Sequence, residues 1–272
     1  MTYFGFLAIF LGIPILILVG ATVYDYRIRG RAYPSHFNGY NALLILGIHL
    51  LIALIYTTPW DNYLVATSVW WYDPALVTGI TIGYVPIEEY TFFIVQPIFT
   101  GLWVLFWMRR NREPSHSWRA AGVRWGAVAL GAVLWFASLV ILVSGWKPGT
   151  YLALIGIWAL IPILVQFIFG ADILWRHRRL VALGILPTTL YLAAADTLAI
   201  QSGTWTIDPA QSLPILLGGV LPIEEFIFFF VTNVLIVFGL TLVLAAESQV
   251  RLQEVVGWLN RFRQAPPSPT DA

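Results

Sequence analysis

Apolar residues run in long blocks along this chain, and the polar positions gather in the gaps between them. Seven blocks approach the roughly 20 apolar residues that a bilayer-spanning helix needs. They cover about 3–24, 40–57, 85–108, 125–144, 151–171, 180–199 and 218–245. The first has no basic stretch before it and no clear small-residue cleavage site, so it reads as a retained helix rather than a secretory leader. The pattern predicts an all-α polytopic membrane protein whose seven helices leave the two ends of the chain on opposite sides.

Composition agrees. Of 272 residues, 59% are hydrophobic and only 11% are charged, with a mean hydropathy of +0.78. Soluble domains carry about 25% charge, so this chain lacks the polar residues to cover a water-facing globule. The absence of cysteine excludes disulfides, thiolate metal sites and thiol nucleophiles. The single lysine, Lys147, sits in a Gly-Trp-Lys-Pro-Gly turn, so no helix offers a lysine for a Schiff base.

Charge then orients the helices. Arg27, Arg29, Arg31, Arg109, Arg110, Arg112, Arg119, Arg124, Arg176, Arg178, Arg179, Arg251, Arg261 and Arg263 all flank one face, while Lys147 alone flanks the other. The positive-inside rule makes the Arg-rich face cytoplasmic, with the N-terminus outside and the C-terminus inside an integral, multi-pass membrane protein.

An internal repeat narrows the chemistry. Asp61, Trp70 and Asp73-Pro74 fall on Asp196, Trp205 and Asp208-Pro209 at a shift of 135 residues. After one inserted residue the shift is 136, and Pro86-Ile87-Glu88-Glu89 coincides with Pro222-Ile223-Glu224-Glu225, as Phe92-Phe93 does with Phe228-Phe229. Asp25 followed by Arg27 corresponds more loosely to Asp172 followed by Arg176. The chain therefore divides into a three-helix repeat (1–110), a linking helix with its loops (111–148), a second three-helix repeat (149–247) and a polar tail (248–272). The extra helix restores the first copy's direction, so the two repeats are parallel and related by an axis along the membrane normal.

Eight of the 14 acids, Asp61, Asp73, Glu88, Glu89, Asp196, Asp208, Glu224 and Glu225, lie toward the outer face, and all are repeat-paired. Carboxyls crowded in a low-dielectric setting repel one another and lose hydration, so such a cluster holds some of its protons near neutrality. Glu88 precedes Arg109 by 21 residues, roughly 30 Å of helix, which places the Glu pairs inside the apolar layer. Pro86 and Pro222 read as helix starts with acids near the positive end. On helices begun there, Glu88, Phe92 and Gln96 share a face, and so do Glu224, Phe228 and Thr232. Glu89 with Phe93, and Glu225 with Phe229 and Asn233, form the neighbouring rows. One such copy is explained by capping and packing. Two copies of acids at membrane depth mark a functional site, which Asp61 and Asp196 can join from the ends of the second and sixth helices. The other acids have simpler readings: turns at Asp73 and Asp208, and ion pairs at Asp25 and Asp172. The histidines, including His49, have no repeat partner and read as packing or loop residues. A neutral carboxyl among aromatic faces is a general acid beside groups that stabilise a cation, a combination suited to protonating an alkene.

At these residues the chain resembles the membrane-integral lycopene cyclases, the fused form of the heterodimeric carotenoid cyclases and the cyclase part of fungal bifunctional carotenoid enzymes. The resemblance rests on the duplicated Pro-x-Glu-Glu motif, each copy followed by paired Phe, and extends over nearly the whole chain. It implies cyclisation of the linear ψ ends of lycopene to β-ionone rings, giving γ-carotene and then β-carotene, by an isomerase that needs no cofactor or metal. The implied catalytic residues are Glu88, Glu89, Glu224 and Glu225, with no assignment of acid and base. Phe92, Phe93, Phe228, Phe229, Asp61, Asp196, Trp70 and Trp205 would contact the substrate, and Pro86 and Pro222 would shape the motif. Partners are lycopene taken from the lipid phase and the membrane lipids, with no nucleic acid. No Gly-x-Gly-x-x-Gly fingerprint is present, unlike flavoprotein cyclases. A related end-group enzyme (an ε- or γ-type cyclase, or a hydratase) would use the same acids. A proton-coupled transporter would need broken helices and a polar path to both faces, whereas the Arg-side halves of the third and seventh helices are apolar.

Overall fold

The computed structural model describes residues 1–263 apart from positions 38, 115, 116 and 118, so His116 and the last nine positions of the expected tail lie outside the described residues. The chain is mostly helical, and among the described residues seven helices are long and apolar enough to cross a membrane. They are α1 (Tyr3–Arg27), α2 (Ala42–Ala66), α3 (Ile87–Met108), α4 (Ala121–Ser144), α5 (Thr150–Arg176), α6 (Arg178–Gln201) and α7 (Ile223–Leu244). An eighth, α8 (Ala246–Arg263), is far less apolar and begins the segment read as a tail. The second helix runs further than the sequence pattern indicated, through Pro59 to Ala66, so Asp61 lies within it rather than at its end.

Helices α3 and α7 are the most buried and lie at the centre. Each contacts the other two helices of its own repeat and the second helix of the opposite repeat: α3 meets α6, and α7 meets α2. The linking helix α4 packs mainly on α5 at the periphery. Small residues allow close crossings, as at Gly184 of α6, where an added Cβ would come within 2.9 Å of Val237 and 3.2 Å of Val104.

Three two-stranded ribbons cover the carboxyl-rich end. Strands β2 (Thr81–Ile82) and β3 (Val85–Pro86) form a hairpin closed by two residues, while β5 (Leu216–Leu217) and β6 (Leu221–Pro222) close through three. The residue that changes the repeat shift from 135 to 136 is therefore accommodated in the second hairpin turn, where Gly218 and Gly219 both take positive φ. Pro86 and Pro222 stand just before α3 and α7, with extended backbones, and their missing N–H groups cost the helices nothing.

The third ribbon joins the two repeats. Strand β1 (Trp70–Tyr72) runs antiparallel to β4 (Trp205–Ile207), pairing Trp70 with Ile207, Trp71 with Thr206 and Tyr72 with Trp205. Since Trp71 and Thr206 are themselves repeat equivalents, the local twofold passes between them. After each strand Asp73 and Asp208 make the expected turns, accepting from the backbone N–H of Ala75 and Ala210 at 2.9 Å.

At the opposite end the ion pairs expected at Asp25 and Asp172 form, chiefly with arginines from other helices, although Arg31 also comes within 3.7 Å of Asp25. Asp25 takes both Arg110 nitrogens at 2.6 and 2.8 Å, and Asp172 takes both Arg251 nitrogens at 2.7 Å. Arg176, expected beside Asp172, pairs with Glu247 at 2.6 Å. Two histidines pack beside this pair, as expected: His36 and His177 stack with ring centres 5.9 Å apart, and the His177 Nε2 lies 3.4 Å from Glu247.

Candidate active site

A cavity of about 480 Å³ lies beneath the β1–β4 ribbon, between the first turns of α3 and α7. Consecutive helical residues diverge by about 100°, so the two glutamates of each motif part company. Glu89 and Glu225 line the cavity. Glu88 and Glu224 turn the other way, each accepting a hydrogen bond from a loop N–H, Thr78 at 2.6 Å and Leu213 at 2.7 Å. Each thereby anchors the loop before its hairpin to the first turn of its helix.

Both cavity glutamates receive phenol donors from helix starts. Tyr3, at the beginning of α1, donates to Glu89, and Tyr151, at the beginning of α5, donates to Glu225 at 2.7 Å. The first copy carries one more link, because Tyr72 also donates to Glu89 at 3.0 Å and itself accepts from the Trp70 indole N–H at 3.0 Å. In the second copy Ile207 stands in place of Tyr72, and the Trp205 indole donates instead to Asp196 at 2.9 Å. Tyr72 lies in the ribbon outside the spans, and burial, followed by the negative charges of Glu89 and Asp61, pushes its hydroxyl well above the ordinary phenol value, so it stays a donor. Asp61 is fully buried with neither oxygen hydrogen-bonded, and Asp196 has one oxygen unpaired. A buried carboxyl without donors is far cheaper to hold neutral than charged.

The remaining walls are aromatic. Trp60 stacks on Trp158 at 4.6 Å and on Phe228 at 5.8 Å, and Phe92 meets Phe229 edge-on at 6.2 Å. The indoles cross between repeats: Trp205 lies 4.8 Å from Tyr3, and Trp70 lies 5.3 Å from Tyr151. A positive centre formed here would face several π-clouds and four carboxyl groups.

The structure thus brings Glu89, Glu225, Asp61, Asp196, Phe92, Phe93, Phe228, Phe229, Trp70 and Trp205 together around one cavity, and leaves Glu88, Glu224, Pro86 and Pro222 outside its lining. Sequence reasoning missed Tyr3, Tyr72, Tyr151 and Trp60. The paired tyrosines carried a signal, since each precedes a proline by 11 residues, Tyr3 before Pro14 and Tyr151 before Pro162.

No solved structure matches the chain. It matches the lycopene cyclase family over residues 1–107 and 148–244, leaving out only the linking helix and the residues after α7. It is 39% identical to a lycopene beta-cyclase of Halobacterium salinarum over 242 residues, covering 89% of this chain and 95% of that protein. It is 37% identical over 199 residues to a bifunctional lycopene cyclase/phytoene synthase of Gibberella fujikuroi, and 36% identical over 210 residues to another from Leptosphaeria maculans. These cover 70% and 69% of the chain but only 33% and 34% of those longer proteins. By matched length, identity and the duplicated motif that lines its cavity, the chain belongs to the lycopene cyclase family.

Proposed function

We propose that this protein is a lycopene beta-cyclase that converts the ψ end groups of lycopene to β-ionone rings without change of oxidation state, and that Glu89 and Glu225 are its acid–base pair. The carrying observation is the convergence of these two glutamates, one from each repeat, on a single aromatic cavity that also holds Asp61 and Asp196. One carboxyl gives a proton to C2 of the end group. The C1 cation is taken by the C5=C6 π-bond, forming the ring, and the other carboxylate removes the C6 proton to leave C5=C6. One proton enters and one leaves, so the product is an isomer of the substrate and the step calls for no cofactor. An alkene is a weak base, so the acid must be dry and undissociated. The stacked Trp60 and Phe228 rings, both in the cavity wall, supply cation stabilisation.

In the same reading Glu88 and Glu224 position the loops over the cavity, and Phe92, Phe93, Phe228, Phe229, Trp70 and Trp205 enclose the end group. The two-repeat division at 1–110 and 149–247, with a linking helix between, is supported by the twofold pairing of β1 with β4. The Arg-rich end faces the cytoplasm, as its charge favours, so the cavity opens in the outer half of the membrane, where lycopene arrives from lipid. The test is expression in cells that accumulate lycopene, followed by chromatography of their pigments. Monocyclic and bicyclic carotenes with β rings are expected. Unchanged lycopene beside a folded, membrane-inserted protein would overturn the proposal.

A further inference from the structure

The pseudo-twofold produces two clefts between repeats, and they differ. One lies between α2 and α5, the other between α6 and α1, and each is bridged by an equivalent hydrogen bond, Tyr56 to the Trp158 carbonyl and Tyr191 to the Phe10 carbonyl, both 2.9 Å. The α2–α5 cleft, about 710 Å³, is lined by His49, Ile52, Ala53, Tyr56 and Pro162, and it shares Phe92, Phe93 and Phe228 with the acid cavity. The α6–α1 cleft, about 690 Å³, has no lining residue in common with that cavity.

Three substitutions between the copies account for the difference. In the second copy Asn233 of α7 donates to Thr189 of α6 at 3.1 Å and accepts from Gln96 and Thr100 of α3 at 2.9 and 2.6 Å, tying three helices together behind the α6–α1 cleft. The first copy has Pro97 where the second has Asn233, and Leu54 where it has Thr189, while Ile236 is the counterpart of Thr100. None of these can make the tie, and Pro97 and Ile236 instead line the α2–α5 cleft. Toward the Arg-rich end a further space of about 940 Å³ shares His49 and Gln166 with the cleft as walls and reaches Phe169 and Leu242. From Phe228 to Leu242 is 14 residues of α7, about 21 Å of path. Of the polar groups along it, His49 is turned to the Ile45 carbonyl at 2.8 Å and Gln166 to that of Leu235 at 3.0 Å, with the Gln166 Oε1 left unpaired, while Gln96 is held by its bond to Asn233.

We propose that the α2–α5 cleft, and not its pseudo-equivalent, is the lateral access path and binding groove for the rod-like polyene tail, whose end group then occupies the acid cavity. The occupant's identity rests on the cyclase reading above. A long conjugated hydrocarbon fits because the groove is apolar, elongated, open toward lipid and separated from the acid cavity at one end only by side chains that line both, Phe92, Phe93 and Phe228.

The cysteine-free chain allows a direct test. Ile52 and Ile17 are 59% and 66% exposed at the mouths of the two clefts, so Ile52→Cys and Ile17→Cys each carry one thiol for a nitroxide label. In phosphatidylcholine vesicles, lycopene at its Kd should immobilise about half of the Ile52→Cys labels and leave the Ile17→Cys spectrum unchanged. Equal responses at the two sites, or none at Ile52→Cys with lycopene in excess, would overturn the groove. The readout needs no turnover, so selective immobilisation without ring formation would sustain the groove while overturning the cyclase reading.

Discussion

Tyr151 and Glu225 come from the first turns of α5 and α7, 74 residues apart, and meet through a 2.7 Å hydrogen bond. Tyr3 and Glu89 reproduce the contact in the other repeat. Each acid is thus set by a phenol delivered from a different helix start. Tyr3→Phe or Tyr151→Phe removes a donor from a buried carboxyl, at a cost of about 1–3 kcal/mol. Conversion of lycopene should fall roughly tenfold, and the pH profile of the rate should move, which a change in packing alone would not produce.

The two glutamates of each motif should separate in kinetics. Glu89→Gln or Glu225→Gln removes a carboxyl from the cavity and should lower the turnover rate by about 10²–10⁴. Glu88→Gln and Glu224→Gln keep an acceptor for the Thr78 and Leu213 N–H groups, so their effect should be much smaller and appear chiefly in thermal stability. Pigment conversion in vesicles, normalised to folded protein, measures both.

At the Arg-rich end, Arg251→Ala would leave Asp172 buried without its bidentate partner. Breaking a buried pair in this way costs about 3–5 kcal/mol, to be read as a lower midpoint of unfolding in detergent. Arg119→Ala breaks a pair whose side chains are 63% and 49% exposed, and should cost less than about 1 kcal/mol.

Glu247 gives the docking of α8 a pH dependence. Burial alone would raise its carboxyl, but the His177 hydrogen bond, its own backbone N–H and the neighbouring Arg176 charge outweigh burial and hold it below its ordinary value of 4.5. A carboxyl lowered on folding contributes stability above that value, and the contribution is lost as pH falls through the lowered value. Hydrogen-exchange protection factors across residues 246–258, corrected for the intrinsic rate at each pH, should therefore be high at neutral pH and fall as the solution is acidified below about 4.5. Glu247→Gln should reduce that dependence, leaving the part carried by the Asp172–Arg251 pair.

Much of this was legible in the sequence for identifiable reasons. Spanning helices leave apolar blocks of bilayer length, and a duplicated motif leaves a constant shift, so the seven helices and the ring of acids and aromatics could be read directly. The choice between Glu88 and Glu89 could not, because both helix rows carry phenylalanine and both Phe92 and Phe93 face the cavity. The tyrosine donors were hidden by a change of register. Their shift is 148 rather than 135, because residues 28–41 connect α1 to α2 while His177 alone connects α5 to α6. The longer connection is folded against the far repeat, where Phe37 bridges to Ala245, a tertiary contact with no sequence periodicity.

The β1–β4 ribbon carries its indoles across the boundary between repeats. Trp205 belongs to the second half but lies against Tyr3, the donor to the first half's glutamate, and Trp70 does the reverse with Tyr151. Neither half alone therefore encloses its own acid. Were the chain severed in the linking segment, each fragment would expose a half-built chamber with its tyrosine uncovered, and reassociation of the two pieces would be the event that shuts water out. The division of the sequence into two similar halves conceals an obligate exchange between them, which makes the pair, and not the repeat, the smallest unit able to hold a dry proton.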